Sequence, residues 1–321
     1  MSDMNITIEG GSSVRLKTAG KYCNQDIVVT TTVGGEDNLS PFIEGTLVDL
    51  KSDASSVKNY ASYNNTIITR VELPNATSIE SYAFYGCNNL TEAVLPKVTS
   101  VATYAFYNCT TLVNLDAPNV KSAGSNSFRL CSSLASVNMP NLTTVGDNLF
   151  QSCSKLVSAN LPSATSLGKY AFGDCTSLQE VIAPKVKTIS TYAFYNTKVL
   201  SQVDMPNATT LSTYSFRNSG LTQANLPKIT SVADSCFYDC TSLKSVVLSS
   251  VTSIKASAFN NCTSLEYIDF TGCTSVPTLA NSTNVFKNVP TTCEFRVPAA
   301  LYDEWVAAAN WSTFASQIVA V

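Results

Sequence analysis

Apolar residues return along this chain at a fixed interval of 22, not at the short period of a single helix or strand. Phenylalanines fall at Phe84, Phe106, Phe128, Phe150, Phe172, Phe194 and Phe216, each 22 residues after the last. Phe237 follows after 21, because the turn before Leu221 has lost one residue, and Phe259 restores the interval of 22. A leucine column runs in phase: Ile68, Leu90, Leu112, Leu134, Leu156, Leu178, Leu200, Leu221, Leu243 and Leu265. Three and five residues later stand apolar pairs such as Val71/Leu73, Val137/Met139, Val203/Met205 and Ile268/Phe270. That alternation describes a short strand with one buried face. Proline then closes the strand, from Pro74 and Pro96 through Pro206 and Pro227, because it cannot donate to a sheet ladder.

One such unit cannot bury its own apolar side chains, whereas stacked units bury them jointly. The pattern therefore predicts a right-handed stack of coils with one parallel β-sheet, a strand starting at each leucine, and an irregular or short-helical return side. Phe84 through Phe259 should form one buried row. Nine coils at roughly 5 Å per strand would extend roughly 45 Å.

The unit L-x-x-V-x-L-P-x-A/V-T-S-I-x-x-Y-A-F-x-x-C, seen for example from Leu90 to Cys109, resembles the BspA-like, or Treponema-type, leucine-rich repeat family over about 68–271. The resemblance implies a leucine-rich repeat solenoid of the kind found mostly in bacterial surface or secreted adhesins, with some in protists and prophages. It brings no catalytic residues, so it implies a binding protein without naming a ligand.

The remaining segments divide around these coils. Residues 1–33 read as a small β-module, with apolar runs at Ile6–Ile8, Val14–Leu16 and Ile27–Val33 separated by glycines. Its phrase LKTAGKYCNQDIVVT resembles short modules of phage and prophage tail-associated proteins. Residues 34–41 read as a linker. Residues 42–67 read as a degenerate capping repeat: Ala54, Val57, Tyr60 and Ala61 are in register, but Lys51 and Ser62 replace the leucine and phenylalanine. About nine 22-residue repeats fill 68–271, and 272–321 form a C-terminal cap with a helix near 298–309. In that cap Pro298 favours the first helical position, and Leu301, Trp305 and Ala308 share one face.

Charge changes this picture less than its placement does. Charged residues are 13% and the formal charge is −3, which leaves no basic stripe for nucleic acid. No apolar run approaches the ~20 residues of a membrane span, and MSDMNITIEGG lacks the features of a signal peptide. The expected location is still the cell surface, the medium or a phage particle rather than the cytoplasm, and the expected form a monomer. Seven of the eleven cysteines, Cys87 to Cys262, share one column. Side chains stacked that way sit too far apart to bridge, so free buried thiols are expected. No metal site and no cofactor are expected: the Cys236/Cys240 pair is explained by its columns and the chain has no histidine.

Positions one, two and four after the leucine should face solvent. They carry Glu92, Asp116, Glu180, Asp204, Glu266 and Asp269 against one cation, Lys244. Glu92/Asp116 and Glu180/Asp204 share a spacing that would set each pair diagonally on neighbouring strands. Nothing encloses either pair, so no carboxyl should be desolvated for acid catalysis, and an enzyme is not expected. The candidate binding face comprises Glu92, Asp116, Asn138, Asn160, Glu180, Gln202, Asp204, Gln223, Asn225, Tyr267 and Asp269. It would hold a protein or glycan partner, or, in an alternative reading, serve as an intracellular scaffold. Two tyrosine columns, Tyr82 to Tyr214 and Tyr85 to Tyr238, should cover the return side. A threonine column from Thr77 to Thr252 could order water, though Lys121 and Lys187 interrupt it.

Overall fold

The computed structural model describes residues 49–280 and 284–321, with the backbone of residue 48 and of three earlier strands, Met4–Ile8, Ser12–Lys17 and Val28–Val33. The linker at 34–41 and Cys23 lie outside the described residues. The chain is a parallel β-solenoid with two compact units. Unit 1 comprises Met1–Leu142 and Asn148–Asn160, and unit 2 comprises Thr143–Asp147 and Leu161–Val321.

In unit 1, Met4–Ile8, Ser12–Lys17 and Val28–Val33 form an antiparallel meander. Its last strand pairs in parallel with Val48–Ser52, and the ladder continues through Ile68–Glu72, Glu92–Val94 and Asn114–Asp116. Ser136–Asn138 and Ser158–Asn160 form a further parallel pair. In unit 2 the same position is held by Gln202–Asp204, Gln223–Asn225, Ser245–Val247, Tyr267–Asp269, Glu294–Val297 and Ile318–Ala320, all parallel. In the regular coils the ladder starts two residues after the leucine, not at it. Leu90, for instance, precedes Glu92–Val94 and turns wholly inward.

Each coil also carries a second, two-residue strand, where the sequence pattern predicts only one strand per coil. Pairs such as Ser78–Ile79 and Ser100–Val101 in unit 1, and Thr188–Ile189 and Thr210–Leu211 in unit 2, form their own parallel ladders. Two residues are too few to show alternation, but each pair turns one apolar side chain inward and one hydroxyl outward. Threonines that precede such pairs are committed as well. Thr99 Oγ1 donates to the Thr77 carbonyl at 3.2 Å, and Thr252 Oγ1 to that of Thr230 at 2.9 Å. Their protons serve the stack, which weakens the row as a water-ordering surface.

The return side is a run of tight turns, without helix in the regular coils. Tyr107 N–H donates to the Tyr104 carbonyl and Cys109 N–H to that of Phe106. Two residues per coil adopt the left-handed conformation. Tyr104 has φ 60° and Asn108 φ 59°, and the same two columns in unit 2 include Tyr192 and Asn196, both at 59°. Asparagine tolerates that region and tyrosine rarely does. Stacking helps to hold the tyrosines there: ring centroids of Tyr82 and Tyr104 lie 5.1 Å apart, and those of Tyr170 and Tyr192 4.6 Å apart, nearly parallel. The 21-residue spacing depends on Gly220, where a side chain would collide with the Lys198 carbonyl.

The core is the predicted row. Phe84, Phe106, Phe128 and Phe150 are fully buried in unit 1 and stack at 5.0–5.8 Å. In unit 2, Phe172, Phe194, Phe216, Phe237 and Phe259 do the same at 5.1–5.5 Å. Phe286 extends that row despite its 27-residue spacing, 5.6 Å from Phe259. Beyond it, Phe270, Phe295 and Trp311 interlock with Trp305, the buried residue of the short helix Tyr302–Ala307. The ten described cysteines are buried and unbridged.

Candidate functional site

Side chains leave a strand alternately, so the second and fourth residues after each leucine emerge from the long-strand ladder while the third points into the core. Gln223 and Asn225 are exposed on either side of buried Ala224, and Gln202 and Asp204 flank buried Val203. All eleven candidate residues of the binding face stand on these strands.

In unit 1 the candidates are partly spent on neighbouring side chains. Arg70 Nε donates to Glu92 at 2.8 Å, and its Nη1 to Glu72, also at 2.8 Å. Lys51 adds a second 2.8 Å ion pair on Glu72, and the bonds from Lys51 and then Arg70 hold that carboxyl below the usual range. The single cation expected on this face is thus a miscount. Arg70 stands two residues after Ile68, in the same exposed column as Glu92, and neutralises it. Asn160 Nδ2 donates to Asn138 Oδ1 at 2.9 Å, and Asp116 stands exposed beside them in sequence order.

In unit 2 six candidates, Glu180, Gln202, Asp204, Gln223, Asn225 and Tyr267, line adjoining troughs. The first, about 280 Å³, lies over Gln179–Pro184 and reaches Gln202 and Asp204. The second, about 420 Å³, shares those two residues and runs over Gln223, Asn225, Ser245 and Val247 to Tyr267. The third, about 370 Å³, shares Tyr267 and runs over Glu266 and Glu294 to Arg296. Asn225 Nδ2 donates to Asp204 Oδ1 at 2.9 Å, which fixes the amide and leaves its carbonyl oxygen unclaimed by that bond. Among the described residues, neither Glu180 nor Asp204 has a cation within ion-pair distance. Asp269 is drawn into a turn instead, accepting from Thr271 N–H at 2.8 Å and Thr271 Oγ1 at 2.6 Å.

Arg296 is the second residue the sequence pattern passes over. Its guanidinium lies 3.8 Å above the centre of the Tyr267 ring, and Glu294 accepts from its Nε at 2.9 Å and pairs with its Nη2 at 2.8 Å. The long gap between Phe259 and Phe286 breaks the column register before Arg296, so only the ladder pairing of Asp269 with Arg296 reveals the contact. Among the described residues, no three His, Cys, Asp or Glu side chains converge as metal ligands, and no helix is long and apolar enough to cross a membrane.

A family model for the BspA-type leucine-rich repeat region, six copies long, matches residues 55–179 and again 165–291. The chain belongs to the BspA-type leucine-rich repeat family. A leucine-rich repeat protein from Bacteroides ovatus is similar in fold, with TM-score 0.57 and 17% identity over 96% of this chain and 98% of that one. A leucine-rich cell surface protein from Faecalibacterium prausnitzii aligns at 20% identity over 92% and 95% of the two chains, with TM-score 0.37. The Treponema pallidum leucine-rich repeat protein aligns at 24% identity over 53% and 81%, with TM-score 0.42. Comparison with curated protein sequences gives no match. The BspA-type pattern explains the paired ladders and buried phenylalanines, whereas the troughs of unit 2 arise from the residues that vary within it.

Proposed function

We propose that this BspA-type chain is a non-enzymatic, surface-exposed bacterial binding protein that holds an extended protein or glycan partner along the strand face of unit 2. The observation that carries this reading is the run of three adjoining troughs over successive strands of unit 2, joined through Gln202/Asp204 and through Tyr267. Such a surface offers repeated hydrogen-bonding groups at strand spacing and no deep cavity, which suits a partner gripped at many points. Glu180 and Asp204 give it a negative character that favours a neutral or cationic partner. Membership of the family supports the surface location.

The reading is tested by offering the intact chain to an array of glycans and host-surface proteins. A ligand that binds should lose affinity when unit 2 strand-face residues change. If every ligand found is instead lost only on changing Tyr85, Tyr107 and Tyr195, on the return side, the reading fails.

A further inference from the structure

Within the proposed binding face, and resting on that reading, we infer that the trough beside Tyr267 is a subsite for one pyranose ring of a neutral glycan. Tyr267 stands as a wall between two troughs, with Ser245 as its ladder partner on one side and Glu294 on the other. Arg296, pinned by Glu294, covers the ring face on its own side. The opposite face therefore turns toward the trough over Ser245 and Val247. Ser245 is only 8% exposed and Val247 is half-buried, so the floor beside the ring is low and the ring face stands clear of it.

That combination matches the two-sided chemistry of a sugar. A pyranose has an apolar face of C–H groups, which carry partial positive charge and pack on the negative face of an aromatic ring. Its rim carries hydroxyls that both donate and accept. The trough supplies the complement across from Tyr267: the amides of Gln202, Gln223 and Asn225 donate and accept, and the Asp204 carboxylate accepts. Its volume, about 420 Å³, falls in the range of small-ligand sites. Charge narrows the class. Asp204, with Glu180 in the adjoining trough, opposes uronic or sialic acids, and the guanidinium behind Tyr267 opposes a quaternary ammonium on its other face.

The test is titration calorimetry of the intact chain with short soluble fragments of β-glucan, chitin, mannan and galactan, beside a polygalacturonate fragment. At least one neutral fragment should bind. Tyr267→Ala should weaken it at least about tenfold, whereas Tyr267→Phe, which keeps the ring face, should stay within about threefold. Because Tyr267→Ala also removes the support of Arg296, Val247→Trp serves as a second variant. It fills the trough while leaving Tyr267 in place, and it should abolish binding with the melting temperature unchanged. The inference is overturned if no neutral fragment binds, if the acidic fragment binds as well, or if both Tyr267→Ala and Val247→Trp bind normally. A protein ligand lost on changing Glu180 and Asp204 would leave the broader reading intact in each of those cases.

Discussion

The thiol of Cys109 donates to the main-chain carbonyl of Phe84, one coil back, at 3.1 Å. Cys131 repeats the bond to Phe106 and Cys153 to Phe128 in unit 1, as Cys262 does to Phe237 in unit 2. The column is thus a hydrogen-bonding device between coils, with each sulfur buried and given a use for its single proton. Where cysteine is replaced, Thr197 Oγ1 donates to the Phe194 carbonyl at 2.9 Å and Ser219 lies 3.4 Å from Cys240 Sγ. In the native protein these thiols should resist a disulfide-exchange reagent. In denaturant, without reductant, most of the eleven cysteines should titrate. Recovery of fewer than half would contradict the free ladder.

Burial also gives the cysteines, within the ladder and outside it, a pH signature. It pushes the Cys240 and Cys293 thiols up to about 12 and Cys273 up to about 11, and raises Cys109, Cys236 and Cys262 as well. Unfolded thiols titrate near 8.5. Between those values the folded chain holds protons that the unfolded chain has released, so stability falls as pH rises. The full contribution is present below about pH 8.5, and each raised thiol removes about 1.4 kcal/mol per pH unit above it. Urea midpoints should be level from pH 7 to 8 and drop steeply by pH 10. A flat profile to pH 10 would show that the thiols ionise in place.

Phe172 sits fully buried in the row of unit 2, its ring 5.5 Å from that of Phe194. Phe172→Ala should cost about 3–5 kcal/mol by equilibrium urea unfolding, as for other buried aromatics. A loss under about 1 kcal/mol would mean that the coils collapse onto the gap and that the row is not a fixed core.

Tyr192 combines φ 59° with a stack on Tyr170 and Tyr214. The same column carries Asn126 and Asn148, at 63° and 56°. Tyr192→Asn should therefore be tolerated better than Tyr192→Val, by about 1–2 kcal/mol, because a branched side chain clashes in the left-handed region. Equal stabilities of the two variants would remove the backbone from the explanation.

Much of this was legible in the 22-residue columns, and the reasons for the gaps are specific. Leucine and phenylalanine recur because every coil must fill the same buried place, so periodicity finds them even where Phe286 arrives late. The second ladder left no signal, since Ser100–Val101 is too short to alternate. The left-handed tyrosines were hidden because tyrosine does not favour that conformation; Asn126, Asn148, Ser235 and Ser257 in the same column were the available clue. On the binding face, composition identified the exposed positions but not their pairing. Glu92 looks like a free acid until Arg70 is counted in its column, and Tyr267 looks like an isolated ring until the ladder brings Arg296 across it.

The central claim is that partners are held on the strand face of unit 2. The most direct test compares the affinity of an identified ligand for the native chain with that for a double variant, Glu180→Lys with Asp204→Lys. Both residues are exposed, so the variant should fold normally while the local field reverses. For a cationic ligand binding should be abolished, with melting temperature unchanged and with Tyr85→Ala, Tyr107→Ala and Tyr195→Ala all binding as the native chain does. Normal binding by the double variant, with loss in the three tyrosine variants, would place the interface on the return side and contradict the account.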